Sequence, residues 1–319
     1  MREYVIRRIL YAVPTAFLVA LLIFVVMRLI PGDAALLMAS GGEGVQSDPA
    51  VYERLRHEIG LDRHIFIQFA DWIWNFVSRG DLGTSYWTKE PVLGQILQRL
   101  PVTLELAAGA ILIGVLVAIP WGVVAALRQD RPEDYVPRIF SVLLLSVPNF
   151  WLGTLLLVLP AIWFRYMPAL GYVSFFDNPG ANVQQFLFPW LALGTRLIGT
   201  TLRMTRSTML EVLHQDYIRT AWAKGLRERV VVYRHALKNA MIPVITIIGG
   251  QIAFLLGGSI IVESVFGLPG LGNLTIQAIY QRDYPQIQGN VLVIALFVIM
   301  MNLITDLSYA WFDPRIKYR

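Results

Sequence analysis

Six stretches of this 319-residue chain are apolar for about twenty residues, which is more than one aqueous core could hide. They run approximately Ile9–Ile30, Val102–Leu127, Ile139–Phe164, Phe186–Leu202, Met241–Val265 and Ile287–Trp311. Crossing the hydrocarbon core of a bilayer takes about 20 mostly apolar helical residues. The expected fold class is therefore an all-α membrane protein with six transmembrane helices. Composition agrees: 15% of residues are charged and 56% hydrophobic, against about 25% and about 45–50% in soluble domains. A soluble surface is built largely from the charges that are missing here. Disordered, collagenous and ordinary cytosolic classes are excluded, and with no cysteine so are a disulfide framework and a thiol nucleophile.

Pro14, Pro120, Pro148, Pro160, Pro189 and Pro243 fall inside these stretches. Packed membrane helices tolerate proline and bend there. The first stretch follows Arg7 and Arg8, is longer than a signal-peptide core and has no small-x-small site close behind it, so a retained span is expected.

Lys and Arg set the orientation. With the N-terminus inside, seventeen basic residues fall on the cytoplasmic side. They are Arg2, Arg7, Arg8, Arg128, Arg131, Arg138, Arg203, Arg206, Arg219, Lys224, Arg227, Arg229, Arg234, Lys238, Arg315, Lys317 and Arg319. Seven fall outside: six between Pro31 and Leu100, and Arg282. Both termini are expected in the cytoplasm. The net charge of +5 then reflects topology and not a nucleic-acid footprint.

Residues 1–30 form the N-terminal tail and first span, 31–100 an extracytoplasmic helical region, and 101–319 a five-helix core with a cytoplasmic loop at 203–240. In the outer region Asp48-Pro49 has the form of an N-cap followed by proline at the first helical position, with Gly60 as terminator. Ile65, Phe69, Trp72, Ile73 and Phe76 then make one apolar stripe of a second helix. Trp72, Trp74 and Trp87 suit a lipid–water interface. A packed helical cap and a docking surface for an external partner both fit this region.

In the inner loop, Asp216-Tyr217-Ile218-Arg219-Thr220-Ala221-Trp222-Ala223-Lys224-Gly225-Leu226 is short, rich in helix formers and small residues, and ends at a glycine suited to a helix stop. Small side chains let another protein approach the backbone, and the surrounding basic residues favour an acidic or nucleotide-handling partner. A basic loop serving topology alone fits the same residues.

The run "DYIRTAWAKGLRERVVVYRHALKNAMIPV" resembles the cytoplasmic loop of ABC-importer permeases in its dipeptide, oligopeptide and nickel branch. "PGD" after the first span, "GDLGTSY" and "RLPVTLEL" before the second, "SVPNFWLG" in the third, "VESVFGLPGLG" after the fifth and "DPRIKYR" at the end agree in order. The sequence departs from the general loop pattern at Arg219 and Thr220, where Glu and Ala would stand, and at His235 and Lys238. Ala221, Gly225 and Leu237 match.

The resemblance implies a type I ABC importer permease in a prokaryotic inner membrane. It implies a second homologous permease subunit, two cytoplasmic ABC ATPase subunits carrying ATP and Mg, and an extracytoplasmic substrate-binding protein, with no cofactor in this chain. It also implies that the helix ending at Gly225 is seated in an ATPase groove. Thr220, Ala221, Ala223, Lys224 and Gly225 would make the close contact, with Asp216 and Arg219 at its edge. The turn Phe266–Gly272 would lie near the external gate.

The chain itself shows no catalytic constellation. No G-x-x-x-x-G-K-[ST] occurs, and His57, His64, His214 and His235 lack metal-ligand spacing. Gly249-Gly250-Gln251 lies inside the fifth span and reads as small-residue packing. Polar residues at membrane depth are the remaining clues, since a mid-bilayer charge costs at least about 2.5–3.5 kcal/mol on insertion scales. Ser259 and Glu263 share a helix face, as do Asn302 and Asp306; Glu105 and Arg196 stand apart. These residues fit a translocation path or gate, or interhelical bracing with Arg196 paired to an acid. A secondary transporter or channel working without ATPase partners is the alternative function, and an intramembrane enzyme lacks the residues.

Overall fold

The computed structural model describes residues 2–29, 34–39, 49–167 and 171–312. Asp48, the "PGD" turn, the "DPRIKYR" end with its three basic residues, and the side chains of Asp306, Arg2, Arg7 and Arg8 lie outside the described residues. Thirteen α-helices are described: α1 Arg2–Leu29, α2 Ala34–Ala39, α3 Pro49–Glu58, α4 Ile65–Arg79, α5 Val92–Leu127, α6 Pro132–Ser146, α7 Asn149–Phe164, α8 Pro179–Leu213, α9 Asp216–Ala223, α10 Glu228–Val230, α11 Lys238–Phe266, α12 Leu271–Gln281 and α13 Tyr284–Phe312. A π-helical turn, Val231–Leu237, joins α10 to α11. Extended pairing among the described residues is limited to one bridge, Thr84 with Pro91. The molecule is all-α.

Three helical segments are long and apolar enough by themselves to span a membrane: Leu10–Leu29, Val92–Leu127 and Tyr284–Thr305. Two further spans form if bent pairs are joined, α6 with α7 across 100° and the two halves of Glu228–Phe266 across 48°. The third apolar stretch is thus not one gently bent helix. Pro148 has no N–H to donate, and its ring drives the preceding residue out of the helical region. Val147 sits at φ −91°, ψ 123° and Pro148 at φ −64°, ψ 137°, both extended. Pro120, Pro189 and Pro243 remain inside continuous helices. The fourth stretch lies in α8, whose 35 residues reach about 52 Å at about 1.5 Å per residue. It is less apolar than the other spans, and its buried face carries polar residues such as Asn182, Gln185, Thr195, Thr201 and Thr205.

The chain forms two compact units, one built on Val102–Leu268 with the chain ends, the other on Ile6–Pro101 with Pro269–Ile299. In the first, α8 is the hub, packed by α6, α7 and α11. Leu106, Ala110, Phe186, Leu193, Leu197, Leu255 and Val262 fill its centre. Lipid tails are as apolar as these side chains, so close van der Waals fit holds such helices together. Gly199 shows how close: a Cβ there would lie 2.9 Å from the Ser141 carbonyl oxygen of α6 and 2.8 Å from Leu145.

In the second unit, α4 carries the expected stripe. Phe69 meets the rings of Phe17 and Phe24 edge-on at 5.7 and 5.2 Å, and Trp72, Ile73 and Phe76 pack on Ala20, Leu82 and Val92. Ile65 is left exposed. Gly60, at φ 69°, ends the preceding helical segment as expected. The segment Gly83–Thr88 is pinned to the α12–α13 turn by Asp283. Its carboxylate accepts from the Ser85 hydroxyl and from the Tyr86 N–H at 3.2 Å, while the Trp87 indole donates to the Gln281 carbonyl at 2.7 Å.

Candidate functional site

The inner loop builds a short surface helix on a buried platform. Ile218 and Ala221 of α9 are buried against Val123, Ala126, Met209, Val231, Val232, Ala236 and Ala240. Asn239 donates to the Tyr217 hydroxyl and to the His235 carbonyl, each at 2.9 Å, fixing α9 to the returning chain. The other face of α9, with Asp216, Arg219, Thr220, Ala223 and Lys224, is exposed. Asp216 and Arg219 form a surface ion pair at 3.5 Å, and the Thr220 hydroxyl bonds back to the Asp216 carbonyl at 3.0 Å.

Gly225 ends α9 in the left-handed region at φ 74°. Its N–H reaches the Trp222 carbonyl at 2.9 Å and the Leu226 N–H reaches Ala221 at 3.4 Å, so the turn satisfies carbonyls that a helix end leaves open. A Cβ at Gly225 would meet nothing within 4 Å. The space around it belongs to whatever lies outside the chain. Ala221, one of the residues chosen from the sequence for close contact, faces the chain's own core.

The π-helical turn was not legible in the sequence. Its Val231, Val232 and Ala236 are buried under α9, and Tyr233 and Arg234 are outward. Such turns shift the helical phase by their wider winding and recur at functional positions. Here the turn delivers the chain from the platform into α11 with its buried side facing α9.

The candidate path residues are spread over different environments. Ser259 and Glu263 are fully buried on the inner face of α11. The Ser259 hydroxyl donates to the Leu256 carbonyl at 2.8 Å, and Glu263 accepts from the Thr103 hydroxyl at 2.7 Å. The exposed face of α11 carries Gly250, Phe254, Gly257, Ile261 and Ser264 instead. Asn302 is exposed on α13. Glu105 is a loop organiser: it accepts from the Tyr172 hydroxyl at 2.9 Å and from the Asn182 amide. Burial, with the hydrogen bond to Glu105 adding to it, pushes the Tyr172 phenol above its ordinary pKa.

Arg196 is exposed, makes no ion pair with a described residue, and lays its guanidinium over the Phe254 ring at 4.1 Å. The paired arginine is another one. Arg206 grips Asp134 through Nε–Oδ1 at 2.5 Å and Nη2–Oδ2 at 2.6 Å. Asp134 is 0% exposed and Arg206 19%. This two-pronged bond ties the start of α6 to α8. Sequence spacing hides it, because the partners lie 72 residues apart. Asp134 in the first turn of a helix that begins with Pro132 was the available hint.

The chain matches two families, one after the other along its length. Residues 118–318 match the family described as binding-protein-dependent transport system inner membrane component, and residues 1–107 its N-terminal companion. A peptide transport system permease protein of Brucella abortus (strain 2308) is 41% identical over 318 residues, covering 100% of both chains. The glutathione transport system permease protein GsiC of Escherichia coli (strain K12) is 39% identical over 319 residues, again covering 100% of both. Among solved structures, the inward-facing MetNI methionine ABC transporter is similar with a TM-score of 0.54 and 16% identity, over 70% of this chain and 99% of that one. That last likeness bears on fold alone.

Proposed function

Because the chain belongs to the family of inner-membrane components of binding-protein-dependent transport systems, we propose how this permease of an ABC importer is arranged, driven and loaded. It is a multi-pass protein of the inner membrane, and its role is transport. Its cargo is a peptide or a related small solute, the class named for relatives at 41% and 39% identity. In the working assembly it crosses the membrane six times with both termini in the cytoplasm. The bent pairs supply the third and fifth crossings and α8 the fourth. A second permease subunit completes the path, and two ATPase subunits carrying ATP and Mg drive it. A binding protein on the outer face delivers the solute.

The observation that carries the coupling reading is the shape of α9. Its buried Ile218 and Ala221 face makes it rigid with respect to the bundle, and its Thr220, Ala223, Lys224 and Gly225 side is bare. A helix mounted in this way transmits a push, whereas a loose loop would absorb it. Asp216 and Arg219 flank the contact. Ser259, Glu263, Asn302 and Asp306 remain proposed parts of the gate or path. Ser259 and Glu263 would act through movement of α11 against Thr103 and not by touching solute at rest.

The test is gentle purification of the tagged chain from its native membrane. Two ATPase-sized chains should accompany it, and a Gly225→Trp variant should lose them or lose uptake. A chain that purifies alone and transports in liposomes without ATP is a secondary transporter or channel, and the coupling assignment fails.

A further inference from the structure

α8 is buried on most sides, but the fold leaves one of its faces open, and that face is charged. Arg196, Thr200, Arg203 and Ser207 follow at i, i+4, i+7 and i+11, a stripe about 16 Å long at about 1.5 Å per residue. Arg196 lies within an apolar stretch. Ionisable residues at that depth face a water-filled cavity or protein and not lipid. The stripe therefore marks the side of α8 that looks into the transporter.

Two hollows lie along this side. The larger, of about 730 Å³, opens between α6, α8 and α11 and is walled by Arg138, Arg203 and Arg206 with Ser141, Thr200 and Ser207. That volume falls within the range of about 300–1,000 Å³ that holds small ligands. The smaller, of about 280 Å³, lies at the α6–α7 break, with Arg196, Asn149, Ser146 and Phe254 in its wall. Asp134 neutralises Arg206. Arg203 and Arg196 make no ion pair with a described carboxylate, and Arg138 makes no close one, though it acts on Asp134 at longer range. The two hollows thus carry three guanidinium groups free of a close ion pair with a described carboxylate, each able to hold a carboxylate through paired N–H donors.

We propose that this face of α8 is an anion-accepting track, on which Arg196 and then Arg203 with Arg138 hold the carboxylate of a small solute as it crosses. This deepens the permease reading and rests on it. Successive weak stations suit transport, since a solute must be held well enough to enter and loosely enough to leave. Met204, Val142 and Ile247 border the larger hollow and suit a short aliphatic body. A lipid phosphate is the other source of an anion and could reach the cavity walled by Arg138 and Arg203. Arg196, beside the helix break in the apolar stretch, favours the solute.

The assembled importer in phosphatidylcholine nanodiscs, without its binding protein and without nucleotide, is titrated with trialanine and with trialanine C-terminal amide. The free acid should bind at least about tenfold more tightly, the worth of one charge-assisted hydrogen bond of about 1.4 kcal/mol. Arg203→Gln should abolish the preference. Arg138→Gln, on a different helix, should weaken it and serves if the first variant fails to assemble. Equal binding of acid and amide by the parent overturns the proposal, as does an unchanged preference in the variants. So does a retained phosphatidylglycerol, seen by mass spectrometry of native-membrane preparations, that Arg203→Gln releases while trialanine binding is indifferent. No ATP is used, so these failures leave the importer reading standing. That reading fails separately, by the absence of ATPase chains from the preparation.

Discussion

Two aspartate–arginine pairs lie in the same compact unit and have opposite fates. Asp134 and Arg206 meet through two bonds of 2.5 and 2.6 Å, with Asp134 wholly buried. Asp216 and Arg219 meet once, at 3.5 Å, with exposures of 97% and 72%. Position decides what each pair is for. A buried pair cannot be broken without stranding a charge, so it holds α6 on α8 as a fixed frame. An exposed pair contributes little by itself, which leaves both side chains available to a partner. The frame and the proposed contact surface use the same two residue types and differ in their exposure to solvent.

The largest effect is expected for Asp134→Ala. Removing one partner of a buried pair costs about 3–5 kcal/mol, so the purified variant should melt well below the parent, whereas Asp216→Ala should shift stability by no more than about 0.5 kcal/mol. Equal effects would mean that burial does not separate the pairs. Gly199→Ala should cost about 1–3 kcal/mol by overpacking α8 against the Ser141 carbonyl, readable in the same melts. Gly225→Ala is smaller: a Cβ in the left-handed region costs about 1–2 kcal/mol, felt locally as faster hydrogen exchange at the end of α9. Because nothing beyond the adjoining residues lies within 4 Å of that Cβ, enlarging the side chain to Trp should add little further instability while impairing uptake. That gap between stability and transport is what distinguishes a contact residue from a frame residue.

Local signals were legible in the sequence, and long-range ones were not. The stop of α9 at Gly225, the end at Gly60 and the Phe69–Phe76 stripe of α4 each depend on a few neighbouring residues, so spacing revealed them. Which proline breaks a helix did not follow from the prolines themselves. Pro120, Pro189 and Pro243 are carried within helices while Pro148 turns the chain by 100°, because packing by neighbours decides whether freed backbone groups are satisfied. The same holds for charge. The sequence offers Arg196 as a partner for an acid at membrane depth, yet the arginine that grips a buried carboxylate is Arg206, nearly three turns along the same helix, and its partner Asp134 is none of those acids. Ser259 and Glu263 were chosen for their shared face, but spacing alone could not say that this face points inward. Family membership was legible in the motifs, and the 39–41% identical relatives establish it.

The central claim is that α9 is the cytoplasmic contact for an ATPase. The chain contains no cysteine, so a single Lys224→Cys gives one thiol at the exposed end of α9. Phe176→Cys, at a side chain 93% exposed in the α7–α8 connection, serves as the control at a site proposed to lie on the opposite membrane face. In native membranes, a thiol-to-amine cross-linker should join the Lys224→Cys chain to an ATPase-sized partner. A membrane-impermeant thiol reagent added outside should label only the Phe176→Cys chain. Labelling of Lys224→Cys from outside, or no ATPase adduct at that position while the complex is intact, would contradict the account.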